Sequence, residues 1–400
     1  MTDLEVPTAL PTASARARAA FEAADLVAPS SEYPCIGRVL PAIAGAIGVD
    51  DVVEAGVSQE LLGLPSASRV CVVLVDGLGH TNLAERAGHA PFLRRRLGDS
   101  TPLTSTFPST TATAMGTFGV AMPPGRTGML GYTVRDPATG ELGNLVSWTG
   151  LPPAREWQRE TTVFEQLVAA GTTVTSIGPA RFSGSGLTEA ALRGPTYRAA
   201  ESLAARVDAT VDALRKPGVA YLYWGEVDKA GHHHGWGSWQ WGDALAELDS
   251  ELGRLARMLP RDTVLVITAD HGMVDVDRAA RWDVATDPAL GSGVELVAGE
   301  PRALHLHLSA GVEATAVADR WRDVLGGSAV VATRDEAAAD SWFGEISEHV
   351  LPVIGDVVVA MTGRATVVDS RTQSPASLDL VGVHGSLTRH EMLVPCVVVA

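Results

Sequence analysis

Five short and nearly continuous apolar runs limit the folds open to this 400-residue chain. They span residues 70–75, 172–177, 219–224, 263–268 and 393–400. Strands that are apolar on both faces are typical of sheets covered by helices on both sides. Between the runs lie longer segments with helical spacing, such as 244–258, where leucines recur every three or four residues. This alternation predicts an α/β fold with a mostly parallel central sheet and helices on both faces.

The pattern changes between residues 302 and 362, where an alternating run, an alanine-rich amphipathic segment and another short strand follow each other. We interpret this stretch as a small inserted α+β lobe within one catalytic domain over 31–400, preceded by an N-terminal extension over 1–30. His305 and His307 alternate with leucines and therefore share one face of a strand. Their spacing is compatible with metal binding, but two exposed strand histidines are the preferred interpretation.

Charge and cysteine content exclude several classes of function. The chain carries 47 acidic against 31 basic residues, and its formal net charge of −16 opposes binding to nucleic acid polymers and anionic membranes. A small anionic substrate remains compatible with a bound cation. Three scattered cysteines cannot build a disulfide framework. The N-terminus lacks an apolar segment of signal-peptide length, so we expect a cytoplasmic protein whose extension is partly disordered or packed along the surface.

Polar side chains follow three of the apolar runs. Asp76 comes directly after the first run, Asp228 and His232 follow the third, and Asp270 with His271 follows the fourth. The carboxyl ends of parallel strands meet at one edge of a sheet, where ligands bind. Asp270-His271 alone is more typical of an ordinary polar loop end, but the convergence favours a metal site. Aspartate and histidine ligands without thiolates suit zinc, manganese or iron, and favour zinc.

A hydroxyl-rich segment over 104–115 precedes a helix-like run, with Pro108 placed as a first-turn residue. A helix N-terminus offers backbone N–H groups to an anion, which suits phosphoryl transfer to a hydroxyl nucleophile. Simple N-capping by serine or threonine is the commoner use of such residues. The segment therefore contains a candidate nucleophile without identifying it.

Taken together, these motifs resemble the alkaline phosphatase superfamily, and within it the type I phosphodiesterase/nucleotide pyrophosphatase family. The resemblance rests on D-G after the first strand, T-F-P before a helix, D-x-x-x-H, D-H-G-M after a strand and a late H-G at 384–385. It extends from about residue 70 to the C-terminus. Each motif is weak alone, whereas their order and joint spacing are specific.

The resemblance implies a hydrolase of phosphate esters that acts through a phosphothreonine intermediate at a two-zinc site. One zinc site would hold Asp76, Asp270, His271 and the nucleophile, and the other Asp228, His232 and His384. Thr106 is the predicted nucleophile and metal ligand by its match to T-F-P. Ser109 stands where the family has asparagine, so Ser109 and Thr110 stay as alternatives.

Several alternatives stay open. Tyr132 occupies the place of an asparagine that helps the family to bind phosphate, so preference among ester classes is not fixed. A phosphomonoesterase, a phosphonate hydrolase or a catalytically inactive binding protein would fit the same motifs. The expected partner is a small phosphorylated molecule, a nucleotide or another phosphodiester. Trp236, Trp239 and Trp241 are compatible with stacking on a base, although packing is the more frequent use of such residues.

Overall fold

The computed structural model describes residues 15–29 and 33–400. Residues 1–14 and 30 of the predicted disordered or surface-packed extension therefore lie outside the described residues. The described part contains helix Ala15–Ala23, and it packs onto the remainder of the chain. Phe21 and Leu26 are buried, and the backbone N–H of Val27 donates to the carbonyl oxygen of Leu387.

The strands in chain order are β1 Arg69–Val75, β2 Leu103–Thr104, β3 Thr133–Arg135, β4 Leu142–Asn144, β5 Val174–Gly178, β6 Thr196–Ala199, β7 Gly218–Trp224, β8 Thr263–Thr268, β9 Val274–Asp275, β10 Arg281–Asp283, β11 Val294–Glu300, β12 Ala303–Leu308, β13 Ala329–Thr333, β14 Val357–Met361, β15 Thr366–Val368, β16 Gly382–Val383, β17 Leu393–Val394 and β18 Cys396–Val399.

The α-helices in chain order are α1 Ala15–Ala23, α2 Val39–Ala46, α3 Ala55–Leu61, α4 His80–Glu85, α5 Pro91–Leu97, α6 Thr111–Val120, α7 Pro124–Thr127, α8 Ala154–Trp157, α9 Val163–Ala169, α10 Gly186–Ala191, α11 Leu203–Ala213, α12 Glu226–His234, α13 Trp239–Met258, α14 Pro288–Gly291, α15 Ala314–Leu325, α16 Arg334–Ala339, α17 Pro375–Leu378 and α18 Arg389–Met392. Short 3₁₀ helices cover Ile36–Arg38, Ala87–His89, Ala180–Phe182, Arg278–Ala280, Gly326–Ser328 and Leu351–Val353.

The first sheet confirms the predicted mostly parallel architecture. Its six strands run in the order β18-β8-β1-β7-β5-β6, and only the edge strand β18 is antiparallel to its neighbour. Strand β1 lies between β7 and β8, and every residue from Val70 to Val75 is buried. The continuous apolar runs follow from this position, because helices cover both faces of these strands.

The second sheet is antiparallel, with six strands in the order β13-β14-β12-β11-β3-β4. It has its own apolar core, in which Trp321 of α15 is fully buried. Strands β3, β4 and β11 belong to this sheet although they precede residue 302. The division into an extension, a catalytic domain and a lobe at about 302–362 stays a prediction.

Two local expectations were wrong. The helix after the hydroxyl-rich segment begins at Thr111, so Pro108 lies before the helix, in a cis peptide bond with Phe107. His305 and His307 are not exposed, because their strand β12 lies between β11 and β14 inside the second sheet. No helix within the described residues is both long and apolar enough to cross a membrane.

Candidate metal centre and active site

A cavity of about 390 Å³ opens at the carboxyl ends of β1, β5 and β7. Asp76, Thr111, Asp228, His232 and His384 line one end of it. These residues come from the loop after β1, the start of α6, helix α12 and the loop after β16. The structure thus brings together side chains that are up to 308 positions apart in sequence, as the distance from 76 to 384 shows.

Asp76, Asp270 and His271 form the first group of candidate metal ligands, with one possible ligand atom from each residue within 4.8 Å of the others. His271 Nε2 lies 3.4 Å from Asp76 Oδ1 and 3.6 Å from Asp270 Oδ2. All three residues are buried. The two residues that leave β8 side by side therefore do turn toward one point, together with the aspartate from β1.

Asp228, His232 and His384 form the second group, within the same 4.8 Å limit. Asp228 and His232 are four residues apart on α12, and helical geometry places Asp228 Oδ2 3.3 Å from His232 Nε2. His384 Nε2 lies 3.9 Å from Asp228 Oδ1. The rings of His271 and His384 stack with centroids 3.6 Å apart, so the two groups are neighbours.

Each histidine of the two groups has its Nδ1 beside a backbone carbonyl oxygen. The acceptors are Gly382 for His232 at 2.7 Å, Gly272 for His271 at 3.0 Å and Ser109 for His384 at 3.1 Å. A carbonyl oxygen only accepts, so each Nδ1 carries the proton and each Nε2 keeps a free lone pair. Carbonyl partners that fix the tautomer in this way are typical of metal-binding histidines.

The electrostatics of the carboxylates also favour a cation. Burial raises the pKa of Asp76 well above its usual value, and the nearby Asp270 and Asp228 raise it further. Burial raises the pKa of Asp270 to about 7, although the N–H of Gly77 lowers it by donating to Oδ1 at 3.1 Å. Burial, then His271 and His232, lowers the pKa of His384 well below its usual value. A bound cation would stabilise the ionised carboxylates and the neutral imidazole.

Two buried carboxylate oxygens at this site have no hydrogen-bond partner within the part of the chain that the structure describes. They are Oδ1 of Asp228 and Oδ2 of Asp270, one in each group. Buried carboxylate oxygens are normally hydrogen-bonded or bound to a metal. Because each orphaned oxygen lies beside a histidine Nε2 in its own group, the residues present fit a metal ion in each group.

The structure does not bring the predicted nucleophile Thr106 to these groups. Its hydroxyl donates to the carbonyl oxygen of Pro108 at 2.7 Å, and Thr106 is absent from the residues that line the cavity. Thr111 is the threonine beside the first group, with Oγ1 3.2 Å from His271 Nε2 and 3.5 Å from Asp76 Oδ1. Of the alternatives, Thr110 lines the cavity, whereas the hydroxyl of Ser109 donates to the carbonyl of Ser386.

Thr111 received no role from the sequence motifs, because the T-F-P match pointed to a position before the helix. Thr111 is the first residue of α6, and residues 107–110 separate it from Thr106. The available signal was the location of Pro108, since a proline before the N-cap leaves the following Ser-Thr-Thr to form the helix start. Tyr223 was also missed; its hydroxyl donates to Asp76 Oδ2.

The remaining residues singled out from the sequence differ in whether they line the cavity. Tyr132 lines the cavity and is 47% exposed, so it is available to a ligand. None of the three tryptophans is among the residues that line it. Trp241 is buried, Trp236 packs on it with ring centroids 6.5 Å apart, and Trp239 is 70% exposed.

Comparisons with known proteins agree with this geometry. Residues 70–387 match the family model described as type I phosphodiesterase/nucleotide pyrophosphatase. No curated protein sequence matches the chain. Murine ectonucleotide pyrophosphatase/phosphodiesterase 5 is similar in structure, with a TM-score of 0.64, 18% identity, and 82% of this chain and 87% of that chain covered.

A second similar structure is phosphonoacetate hydrolase from Sinorhizobium meliloti 1021 in complex with phosphonoformate. Its TM-score is 0.63 at 20% identity, with 84% of this chain and 90% of that chain covered. At such identities the structural likeness shows the fold, whereas the family follows from the model that matches most of the chain. The protein is therefore a member of the type I phosphodiesterase/nucleotide pyrophosphatase family, within the alkaline phosphatase superfamily.

Proposed function

We propose that the protein is a metal-dependent phosphodiesterase in which Thr111, in place of Thr106, is the nucleophile. The observation that carries this proposal is the position of Thr111 Oγ1 between His271 Nε2 and Asp76 Oδ1, at the N-terminus of a ten-residue helix. A nucleophile at such a place has a candidate metal group on one side and free backbone N–H groups on the other.

The two groups of ligands would each hold one metal ion, and their nitrogen and oxygen donors favour zinc. Bound there, the metals would lower the pKa of the attacking hydroxyl and stabilise the negative charge on the phosphoryl oxygens. Hydrogen bonds hold the candidate ligands in place: the Tyr223 hydroxyl orients Asp76, and backbone carbonyl oxygens orient the three histidines.

In the reaction, Thr111 Oγ1 would form a bond to phosphorus while the bond from phosphorus to the leaving ester oxygen breaks. The threonine proton passes to solvent, and the leaving alkoxide takes up a proton. Water then attacks phosphorus, breaks the bond to Thr111 and restores the hydroxyl. The N–H groups at the start of α6 lie where they can donate to the phosphoryl oxygens during both steps.

The cavity favours an organic substituent on the phosphate. Beyond the metal groups it is lined by apolar and aromatic side chains, among them Ile177, Phe182, Leu192 and Tyr221. Arg181 is the only lysine or arginine among the described residues that line it. An ester group with a mostly apolar or ring-bearing body would bury more surface here than a second phosphate. This composition supports a diester over a monoester.

A phosphonate hydrolase is the second candidate. The similar structure from Sinorhizobium meliloti holds a small phosphonate with a carboxylate, and Arg181 is placed where it could pair with such a group. An inactive form of the murine protein has been solved in complex with AMP, a ligand that fits the first candidate better. The two candidates differ in what the cavity must bind, so substrate comparison separates them.

The experiment compares hydrolysis of bis-p-nitrophenyl phosphate, p-nitrophenyl phosphate and phosphonoacetate by zinc-reconstituted protein. We expect the diester to be preferred, and Thr111→Ala to lose at least about 1,000-fold in kcat while retaining its metal. Thr106→Ala is the matched control, and we expect it to keep activity within about fivefold. Full turnover in Thr111→Ala, or loss only in Thr106→Ala, would refute the nucleophile. A preference for phosphonoacetate would favour the second candidate.

A further inference from the structure

Glu300 is a buried acidic residue that the proposed mechanism does not use. It ends strand β11 of the second sheet, and its side chain points toward the loops that carry the active site. A Cβ atom built on Gly385, next to His384, would lie 2.7 Å from Glu300 Cγ and 2.9 Å from Oε1. Only glycine allows so close an approach, so the carboxyl group packs against the residue that follows the candidate ligand His384.

The carboxyl group contacts two segments that form the cavity wall. Glu300 Oε2 accepts the backbone N–H of Tyr132 at 2.8 Å. The Thr110 hydroxyl lies close enough to the same carboxyl group to lower its pKa. Thr110 and Tyr132 both line the cavity, and Thr110 immediately precedes the proposed nucleophile Thr111. Glu300 therefore lies against both the Thr110 segment and the Tyr132 segment of the cavity wall.

No lysine, arginine or histidine among residues 15–29 and 33–400 forms an ion pair with this carboxyl group. The nearby Arg302 is bound to Glu391, with Nε 3.0 Å from Oε1 and Nη2 2.7 Å from Oε2. Burial, with a smaller contribution from Glu391, raises the pKa of Glu300 to about 8. Oε1 of Glu300 is buried and has no hydrogen-bond partner among the described residues. A neutral carboxyl group placed in this way can donate a hydrogen bond as well as accept one.

We propose that Glu300 is a positioning residue for phosphate binding, which orients the Thr110 hydroxyl toward the cavity and fixes the backbone of Tyr132. When the carboxyl group donates to Thr110 Oγ1, the proton of that hydroxyl is free to reach a phosphoryl oxygen. The side chain of Thr110 is not used as a helix cap, although Thr110 is the N-cap residue of α6. This inference rests on the proposed function, because it assigns Thr110 a contact with the substrate phosphate.

The test measures the Kd of inorganic phosphate by calorimetry on zinc-loaded protein, together with kcat/KM for bis-p-nitrophenyl phosphate. The variants are Thr110→Val, Glu300→Ala, their double substitution and Glu300→Gln. Thr113→Val is the matched control, because Thr113 lies on the same helix, is buried and has a hydroxyl without a hydrogen-bond partner. Bound zinc is measured in every variant.

We expect Thr110→Val and Glu300→Ala each to weaken phosphate binding about tenfold, as the loss of one hydrogen bond to an anion would. The double variant should be no weaker than the weaker single variant, because both changes remove the same contact. Glu300→Gln should stay within about threefold of the wild type, since its amide can still donate to Thr110. Thr113→Val should bind phosphate as the wild type does.

Three results would overturn the inference: unchanged phosphate binding in Thr110→Val, multiplicative losses in the double variant, or no measurable binding of phosphate by the wild type. Thr110→Val and Glu300→Gln decide the matter if Glu300→Ala does not fold. Tight phosphate binding without hydrolysis of any ester would count against the proposed function alone. Hydrolysis by the wild type with an unchanged Thr110→Val would count against this inference alone.

Discussion

The two sheets use buried histidines in opposite ways. At the rim of the first sheet, His271 has Nδ1 on a carbonyl oxygen and Nε2 toward two carboxylates. Inside the second sheet, His305 has Nδ1 accepting the backbone N–H of Gly355 at 3.2 Å, and its Nε2 has no hydrogen-bond partner. Neither His305 nor His307 belongs to a candidate metal group among the described residues.

This difference shows that burial does not make a histidine functional. What distinguishes His271 is an acceptor that fixes the tautomer and a carboxylate that faces the free nitrogen. The carboxyl ends of parallel strands bring such carboxylates together, because several strands end at the same edge. Successive residues of an antiparallel strand inside a sheet lack that convergence.

The largest expected effect compares two conservative substitutions of buried histidines. His271→Gln should lose about one metal ion per chain and at least about 100-fold in kcat, since it removes a ligand beside the proposed nucleophile. His305→Gln should retain both metals and activity within about threefold. Metal analysis of the purified proteins, with phosphodiester kinetics, checks both. Equal metal loss in the two variants would remove the distinction between the sheets.

A buried ion pair between the β11–β12 turn of the second sheet and helix α18 gives the next largest effect. Arg302 precedes β12, Glu391 lies in α18 just before β17, and neither side chain is exposed. Arg302 also donates to the carbonyl oxygens of Ala365 at 2.6 Å and Thr362 at 3.2 Å. Arg302→Met should lower the free energy of unfolding by about 3–5 kcal/mol, because it leaves Glu391 buried and unpaired.

The measurement is chemical denaturation at pH 7. The control is the double variant Arg302→Met/Glu391→Gln, which removes both charges and should recover part of the loss. If Arg302→Met unfolds at the wild-type denaturant concentration, the pair contributes little and other contacts hold α18 against the second sheet. A double variant less stable than Arg302→Met would show that the charge of Glu391 is not the cause.

Periodicity and strand ends predicted much of the fold and the convergence of five candidate ligands at one edge, whereas His384 and the division into two groups came only from the family resemblance. Continuous apolar runs identify β1, β7 and β8 because these strands are buried on both faces, and their ends then place Asp76, Asp228 and Asp270 at one edge. Chain order alone did not predict that β3 and β4 would join the second sheet, since β3 pairs with β11 through Thr133 and Gly299, which are far apart in sequence, and β4 pairs with β3. Long-range pairing of short strands carries little local signal.

The choice between Thr106 and Thr111 as the proposed nucleophile depends on one turn. A helix start can shift by several residues within Ser- and Thr-rich sequence, since each of these residues can act as an N-cap. Thr106 and Thr111 therefore have similar sequence surroundings, and only the path of the chain after Pro108 separates them. The burial of His305 and His307 was also missed, since an alternating sequence does not show whether the second face of the strand is covered.

The smallest expected effect is the pH dependence of the second sheet. Burial lowers the pKa of His305 to about 3, and the nearby His307 lowers it further. The folded protein then binds fewer protons than the unfolded chain between pH 3 and about 6.5, so stability falls as pH falls through this range. His305→Gln removes the titrating group and should reduce this loss by up to about 1.4 kcal/mol per pH unit.

Denaturation of wild type and His305→Gln at pH 7, 6 and 5 in EDTA measures this difference, since chelation removes any contribution from bound metal in both proteins. The exposed His233→Gln serves as the control and should follow the wild-type curve. Parallel curves for wild type and His305→Gln would mean that this imidazole becomes protonated without unfolding. A buried position of the second sheet would then tolerate a charged histidine. Only the arrangement of the neighbouring carboxylates would then distinguish His271 from the histidines of the second sheet.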